Sequence, residues 1–158
     1  MTTTAPFPPI TEDLVVQVRG LWRLVSRVDA DDHGTRMIDP VLGPSPLGAL
    51  AFGPQSFAAQ FMNPDRDARA SSAPGSGANN SGAVNGYDAY FGTYSIDPAA
   101  GTVTVRLEGG LTAANIGQAY VREIRANALN LWIRLRTSAV DGTPITRTLT
   151  FVRDRPPG

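Results

Sequence analysis

The stretch Tyr90-Phe91-Gly92-Thr93-Tyr94-Ser95-Ile96-Asp97, continued by Pro98-Ala99-Ala100-Gly101 and Thr102-Val103-Thr104-Val105-Arg106-Leu107-Glu108, decides the fold. Aromatic and β-branched residues fill both arms, and Asp, Pro and Gly mark the joint, which predicts two strands and a turn. So short a joint leaves no room for a crossover, so the arms pair antiparallel. Working toward the C-terminus, the same pattern returns in Ala119 to Ala126, Leu129 to Arg136 and Ile145 to Arg153, the last two joined by Asp141-Gly142. Toward the N-terminus it is found in Gly20 to Val28, Thr35 to Asp39, and the hairpin of Leu47 to Phe52 and Gln55 to Met62 around Gly53-Pro54. The spacing gives eight or nine strands in up-and-down order. Such a meander removes its exposed edges best by closing on itself. The expected class is therefore all-β, a closed antiparallel up-and-down barrel of 8–9 strands with a short N-terminal helical turn.

The remaining segments are arranged around that barrel. Residues 1–17 form an extension, Thr/Pro-rich at first, in which Thr11-Glu12-Asp13 opens a helical turn over Leu14 to Val18 across one barrel end. The barrel occupies 18–155. Within it, 63–86 is expected as a mobile loop, because Ala70 to Asn85 is almost entirely Ala, Ser, Gly and Asn and has little apolar surface to bury. A short helix is expected just before Tyr90. Asp31-Asp32-His33-Gly34 reads as a solvated turn.

Composition narrows the chemistry. The 158 residues, 42% hydrophobic, suffice for one domain with a core. Formal net charge is zero, all basic residues are Arg, and no basic field is present to attract nucleic acid. There is no Cys, so disulfides and thiolate chemistry are excluded. A single His and no Lys rule out multi-His zinc sites and Schiff bases. No metal or cofactor is expected. No stretch approaches the roughly 20 apolar residues of a membrane helix. The expectation is a cytoplasmic protein without nucleic-acid or membrane partners.

Alternation assigns faces. In the first strand Trp22, Leu24, Ser26 and Val28 are expected inward, with Leu21, Arg23, Val25 and Arg27 outward. Tyr120, Arg122 and Ile124 share one inward face, as do Ile145, Arg147, Leu149, Phe151 and Arg153. Leu129, Leu131, Ile133 and Leu135 point inward, leaving Trp132, Arg134 and Arg136 outside, where Trp132 suggests a homodimer contact. Charges are rarely buried without partners. Arg153 is expected to stack on Trp22 and hold chain ends at the barrel base. Arg122 and Arg147 either pair with Glu108, Glu123 or backbone carbonyls, or hold an acidic oxygen of a ligand. Tyr90 and Tyr94 lie on one face around Gly92, whose missing side chain would leave ligand room. The candidate binding set is Trp22, Phe57, Phe61, Tyr90, Tyr94, Tyr120, Arg122, Leu131, Arg147 and Phe151.

Gly20-Leu21-Trp22-Arg23-Leu24-Val25-Ser26, Leu47 to Pro54, Phe61-Met62-Asn63-Pro64, Tyr90 to Asp97 and Phe151-Val152-Arg153 together resemble the bacterial lipocalin-like domain family, a calycin-type barrel. The resemblance spans roughly residues 18 to 154. It implies a closed barrel with a central cavity, in a group of barrels that includes carriers as well as isomerases and cyclases. The Gly/Ser/Asn-rich loop departs from the family's usual pattern.

Two functions fit this reading. One is binding of a small hydrophobic molecule bearing a carboxylate, phenol or enol. The alternative is a cofactor-free isomerase or cyclase of a natural-product pathway in the same cavity, with Tyr90, Tyr94 and Arg122 catalytic. A third reading, a structural barrel filled by its own side chains, is favoured by a pocket below about 300 Å3.

Overall fold

The computed structural model describes residues 6–66 and 85–155. Most of the loop expected over 63–86 lies outside the described residues. Helix α1 (Leu14–Val18) leads into β1 (Gly20–Asp31) and the two-residue β2 (Arg36–Met37). Strands β3 (Leu47–Phe52), β4 (Ser56–Met62), β5 (Tyr87–Asp97) and β6 (Thr102–Gly110) follow. After a 3-10 turn at Ala113–Asn115 come β7 (Ala119–Ala126), β8 (Asn130–Ser138) and β9 (Pro144–Arg153). From β3 onward each strand pairs antiparallel with the next, and β1 pairs on one edge with β3 and on the other with β9, which closes the barrel. Eight strands form the wall. The ninth, β2, lies beside Asp29 and Ala30, beyond the stretch of β1 that β3 covers.

Closure puts the period-two apolar residues on the inside. Trp22, Val103, Ile124, Leu131 and Phe151 are almost fully buried there. Each such side chain contributes roughly 1.5–3 kcal/mol when removed from water. At the base, Trp22 Nε1 donates to Val18 O at 2.8 Å, and the Arg153 guanidinium lies 4.1 Å from the Trp22 ring. Arg153 also donates to the carbonyls of Gln17, Arg19 and Ala128 at 2.7–2.8 Å. One guanidinium thus joins the end of α1, the start of β1 and the β7–β8 turn. Gly20 permits this: its φ is +129°, and a Cβ there would stand 2.7 Å from Arg153 Nη1.

Four expectations need correction. First, β1 does not keep one parity. Its register with β9 shifts between Leu24 and Ser26, and Val25 bulges outward. Beyond the bulge Arg27 and Asp29 face inward, and both are buried in the barrel wall. Second, the segment before Tyr90 is strand, not helix: β5 starts at Tyr87, directly after Asn85 and Gly86, both at positive φ. Third, Leu129 is exposed in the turn before β8. Fourth, Gly92 leaves no room for a ligand. A β5–β6 irregularity between Phe91 and Gly92 brings Arg106 O to 1.8 Å from where a Cβ would be, so the space belongs to backbone.

Candidate functional site

The barrel encloses a hollow of about 90 Å3. Its walls are apolar, with Phe57 and Phe61 from β4, Val103 and Leu107 from β6, Ile133 from β8 and Phe151 from β9. Leu42 covers it from the β2–β3 connection. Asp39 holds that connection in place by accepting the Val41 and Leu42 N–H groups at 2.8 and 3.2 Å. The volume is well under the roughly 300–1,000 Å3 of a pocket for a drug-sized ligand. On size alone, the barrel is close to filled by its own side chains.

The polar groups of the lining are harder to account for as filling. Arg27, Asp88, Tyr90, Tyr120, Arg122 and Arg147 all reach the hollow. Two of the arginines are neutralised. Arg147 donates to both carboxylate oxygens of Asp29, at 2.8 and 3.0 Å. Arg27 pairs with Asp39 at 3.3 Å, both side chains being almost wholly buried. Burial, with the Arg147 charge next in size, lowers the Arg27 pKa.

The other polar groups have no ion pair among the described residues. Arg122 donates to the neighbouring Val121 carbonyl at 3.1 Å, and its guanidinium stands 5.0 Å from the Tyr120 ring. Among the described residues no carboxylate pairs with it. Burial lowers its pKa, while the facing Tyr90 and Tyr120 hydroxyls work the other way. Asp88 is only 3% exposed and has no cation within ion-pairing distance among the described residues. Burial pushes its pKa up to about 7; the Ala89 amide and the charges of Arg27 and Arg147 offset only part of that. Tyr90 packs its ring between Phe57 and Phe61, at centroid distances of 6.0 and 6.3 Å. Burial, and then the Asp88 charge, pushes its hydroxyl up to about 12.

The hollow therefore brings together Phe57, Phe61, Tyr90, Tyr120, Arg122, Arg147 and Phe151 from the sequence-derived set. Trp22, Tyr94 and Leu131 are placed elsewhere. Trp22 is committed to the base, the Tyr94 hydroxyl donates to Gly53 O in the β3–β4 turn, and Leu131 is buried in the wall. Glu123 faces outward and takes both of its hydrogen bonds from Arg134, at 2.7 and 2.9 Å. The partner of Arg147 is Asp29, not Glu108 or Glu123.

The sequence reading misses Asp88, Arg27 and Asp29. Asp88 had a usable signal: it shares the parity of Tyr90, and Asn85-Gly86 is a turn dipeptide that places the strand start just after it. Arg27 and Asp29 had none, because the bulge that turns them inward is set by the register of β1 against β9.

Among the described residues no group of His, Asp and Glu is placed to hold a metal. No helix is long and apolar enough to cross a membrane. A search of the curated proteins finds no match. The family model of the lipocalin-like domain matches residues 19–151, nearly all of the barrel. With the closed eight-stranded wall, the Trp22–Arg153 base and a match of that extent, the chain belongs to the lipocalin-like domain family.

Proposed function

We propose that the barrel binds a compact, mostly apolar molecule carrying one acidic oxygen, such as a carboxylate or an enolate. The observation that carries this reading is Arg122, a cation facing an apolar hollow with no carboxylate partner among the described residues. A barrel evolved only to be filled gains nothing from such a group, since holding even a half-buried charge against apolar walls without a counter-charge is costly. The small hollow limits the ligand. At about 90 Å3 it is smaller than the roughly 150 Å3 of a cavity that admits benzene, so the ligand is short-chained.

Butanoate and its neutral analogue butanamide make the test, titrated calorimetrically. Butanoate should bind at least roughly tenfold more tightly than butanamide, the difference that one charge-assisted hydrogen bond supplies. Arg122→Leu should remove that preference and leave the thermal midpoint of the barrel in place. Equal binding of the two, or an unchanged preference in Arg122→Leu, overturns the reading. The isomerase or cyclase alternative in the same hollow needs a group that both gives and takes a proton, and Asp88 is the residue whose burial favours it.

A further inference from the structure

Two polar groups of the hollow are not used by an anion at Arg122. Asp88 and Tyr90 occupy the same inward face of β5, two residues apart, which separates their Cα atoms by roughly 7 Å. Asp88 is 3% exposed, and Arg27 and Arg147, the cations nearest to it in charge, are each held by another carboxylate, Asp39 and Asp29. Its carboxyl therefore faces the hollow with no ion-pair partner among the described residues. The Tyr90 hydroxyl feels the charges of both Asp88 and Arg122, and all three side chains line the hollow.

We propose that the hollow takes a bifunctional ligand: a short-chain acid whose anionic oxygen sits at Arg122 and whose far end carries a hydroxyl that hydrogen-bonds to Asp88. This deepens the reading above and rests on it. Arg122 supplies the charge, the apolar walls enclose the chain, and Asp88 selects for the second oxygen. The hydroxyl adds a second hydrogen bond to a carboxyl that the protein serves only through the Ala89 amide. A ligand lacking it would leave the Asp88 carboxyl with the Ala89 amide alone, which is how a polar group in an apolar site discriminates.

The experiment compares 4-hydroxybutanoate with butanoate by calorimetric titration of the intact chain. The wild type should bind the hydroxylated acid roughly tenfold or more tightly. Asp88→Ala should erase the difference while still binding butanoate, and Arg122→Leu should weaken both acids. The ratio of the two affinities cancels whatever the ligand's charge costs beside Asp88, so its pH dependence reports the hydrogen bond alone. The charged and titratable groups that act on Asp88 are Arg27, Arg147, Asp39 and Tyr90. Arg27 and Arg147 are each held by a carboxylate, and the Tyr90 hydroxyl, pushed up to about 12, keeps its proton. The ratio should therefore rise between about pH 5.5 and about pH 8.5, as an ionised Asp88 accepts the stronger, charge-assisted bond. Asp88→Asn should keep a preference but make it flat with pH, a readout that a purely structural role would not move.

Butanoate binding with no preference for 4-hydroxybutanoate overturns this inference and leaves the Arg122 reading standing. A preference that survives Asp88→Ala overturns it as well. Should Asp88→Ala fail to fold, a pH-dependent ratio persisting in Asp88→Asn overturns it in the same way. Failure of both acids to bind overturns the two readings together.

Discussion

At the scale of single residues, the interior is organised by which charges are answered. Arg147 and Asp29 meet through two short hydrogen bonds inside the wall, with side-chain exposures of 5% and 6%. Desolvating two charges costs several kcal/mol each, and their attraction does little more than offset that. Removing one partner is another matter, because the survivor is left buried and unpaired. Arg147→Met should therefore destabilise the barrel by about 3–5 kcal/mol, and Arg147→Met combined with Asp29→Leu should recover most of the loss. Urea denaturation of the two single variants and the double variant checks this; losses that simply add would show that the pair is not coupled. Gly92 poses a steric question instead. A methyl group there meets Arg106 O, Arg106 C and Glu108 N, all backbone, which cannot rotate away. Gly92→Ala should cost about 1–3 kcal/mol or more, and Gly142→Ala, with nothing near its Cβ and only its φ of +88° against it, should cost less. A denaturation midpoint for Gly92→Ala equal to that of Gly142→Ala would show that the β5–β6 contact yields readily.

At the scale of elements, most of the wall was legible in the sequence, and the exceptions share one cause. Strands β7 and β9 keep strict alternation, so the inward placement of Tyr120, Arg122, Arg147 and Phe151 follows directly from period two. Strand β1 carries the same period-two reading, with Ser26 on its Trp22 face. Yet one bulge at Val25 reverses every side chain after it, and nothing local in Leu24-Val25-Ser26 announces the bulge. It is set by register against β9, which is tertiary information. The β5 start was legible and missed: Gly86 ends the loop, and Asp88 sits on the Tyr90 face. The base was legible because its parts are far apart in sequence but chemically matched. Helix α1 has five residues and no side-chain N-cap, so it is not stable alone. It is held by Arg153, whose planar fork serves Gln17, Arg19 and Ala128 at once while stacking on Trp22. Arg153→Lys keeps the charge but not the fork. It should cost about 2–3 kcal/mol, several hydrogen bonds being lost at once, and should change the Trp22 fluorescence as α1 loosens. A lysine variant with wild-type stability and spectrum would show that charge alone suffices at the base.

At the scale of the whole molecule, the buried Asp88 carboxyl shapes how stability depends on pH. Its pKa is raised from 3.8 in the unfolded chain to about 7 in the barrel, so between those values the folded state binds more protons than the unfolded one. Stability then falls as pH rises through that window, the reverse of the trend set by the carboxylates that Gln17, Arg136, Arg134 and Thr143 hold below their ordinary range, namely Asp13, Asp32, Glu123 and Asp141. Those four contribute stability that is lost only as pH drops below the usual carboxylate range, so they leave the neutral region to Asp88. Its contribution is complete below about pH 4, declines through about pH 7 and is absent above it. Between about pH 5 and about pH 8 the barrel should lose on the order of 2 kcal/mol. Asp88→Asn, which cannot ionise, should be nearly level over the same range and more stable than the wild type at about pH 8. Denaturant midpoints at the two pH values decide the matter. A wild-type barrel whose stability is level across them, or an Asn variant that keeps the slope, would mean that Asp88 is ionised and answered by a charge in the folded barrel, and the hollow would then offer one unsatisfied group fewer to a ligand.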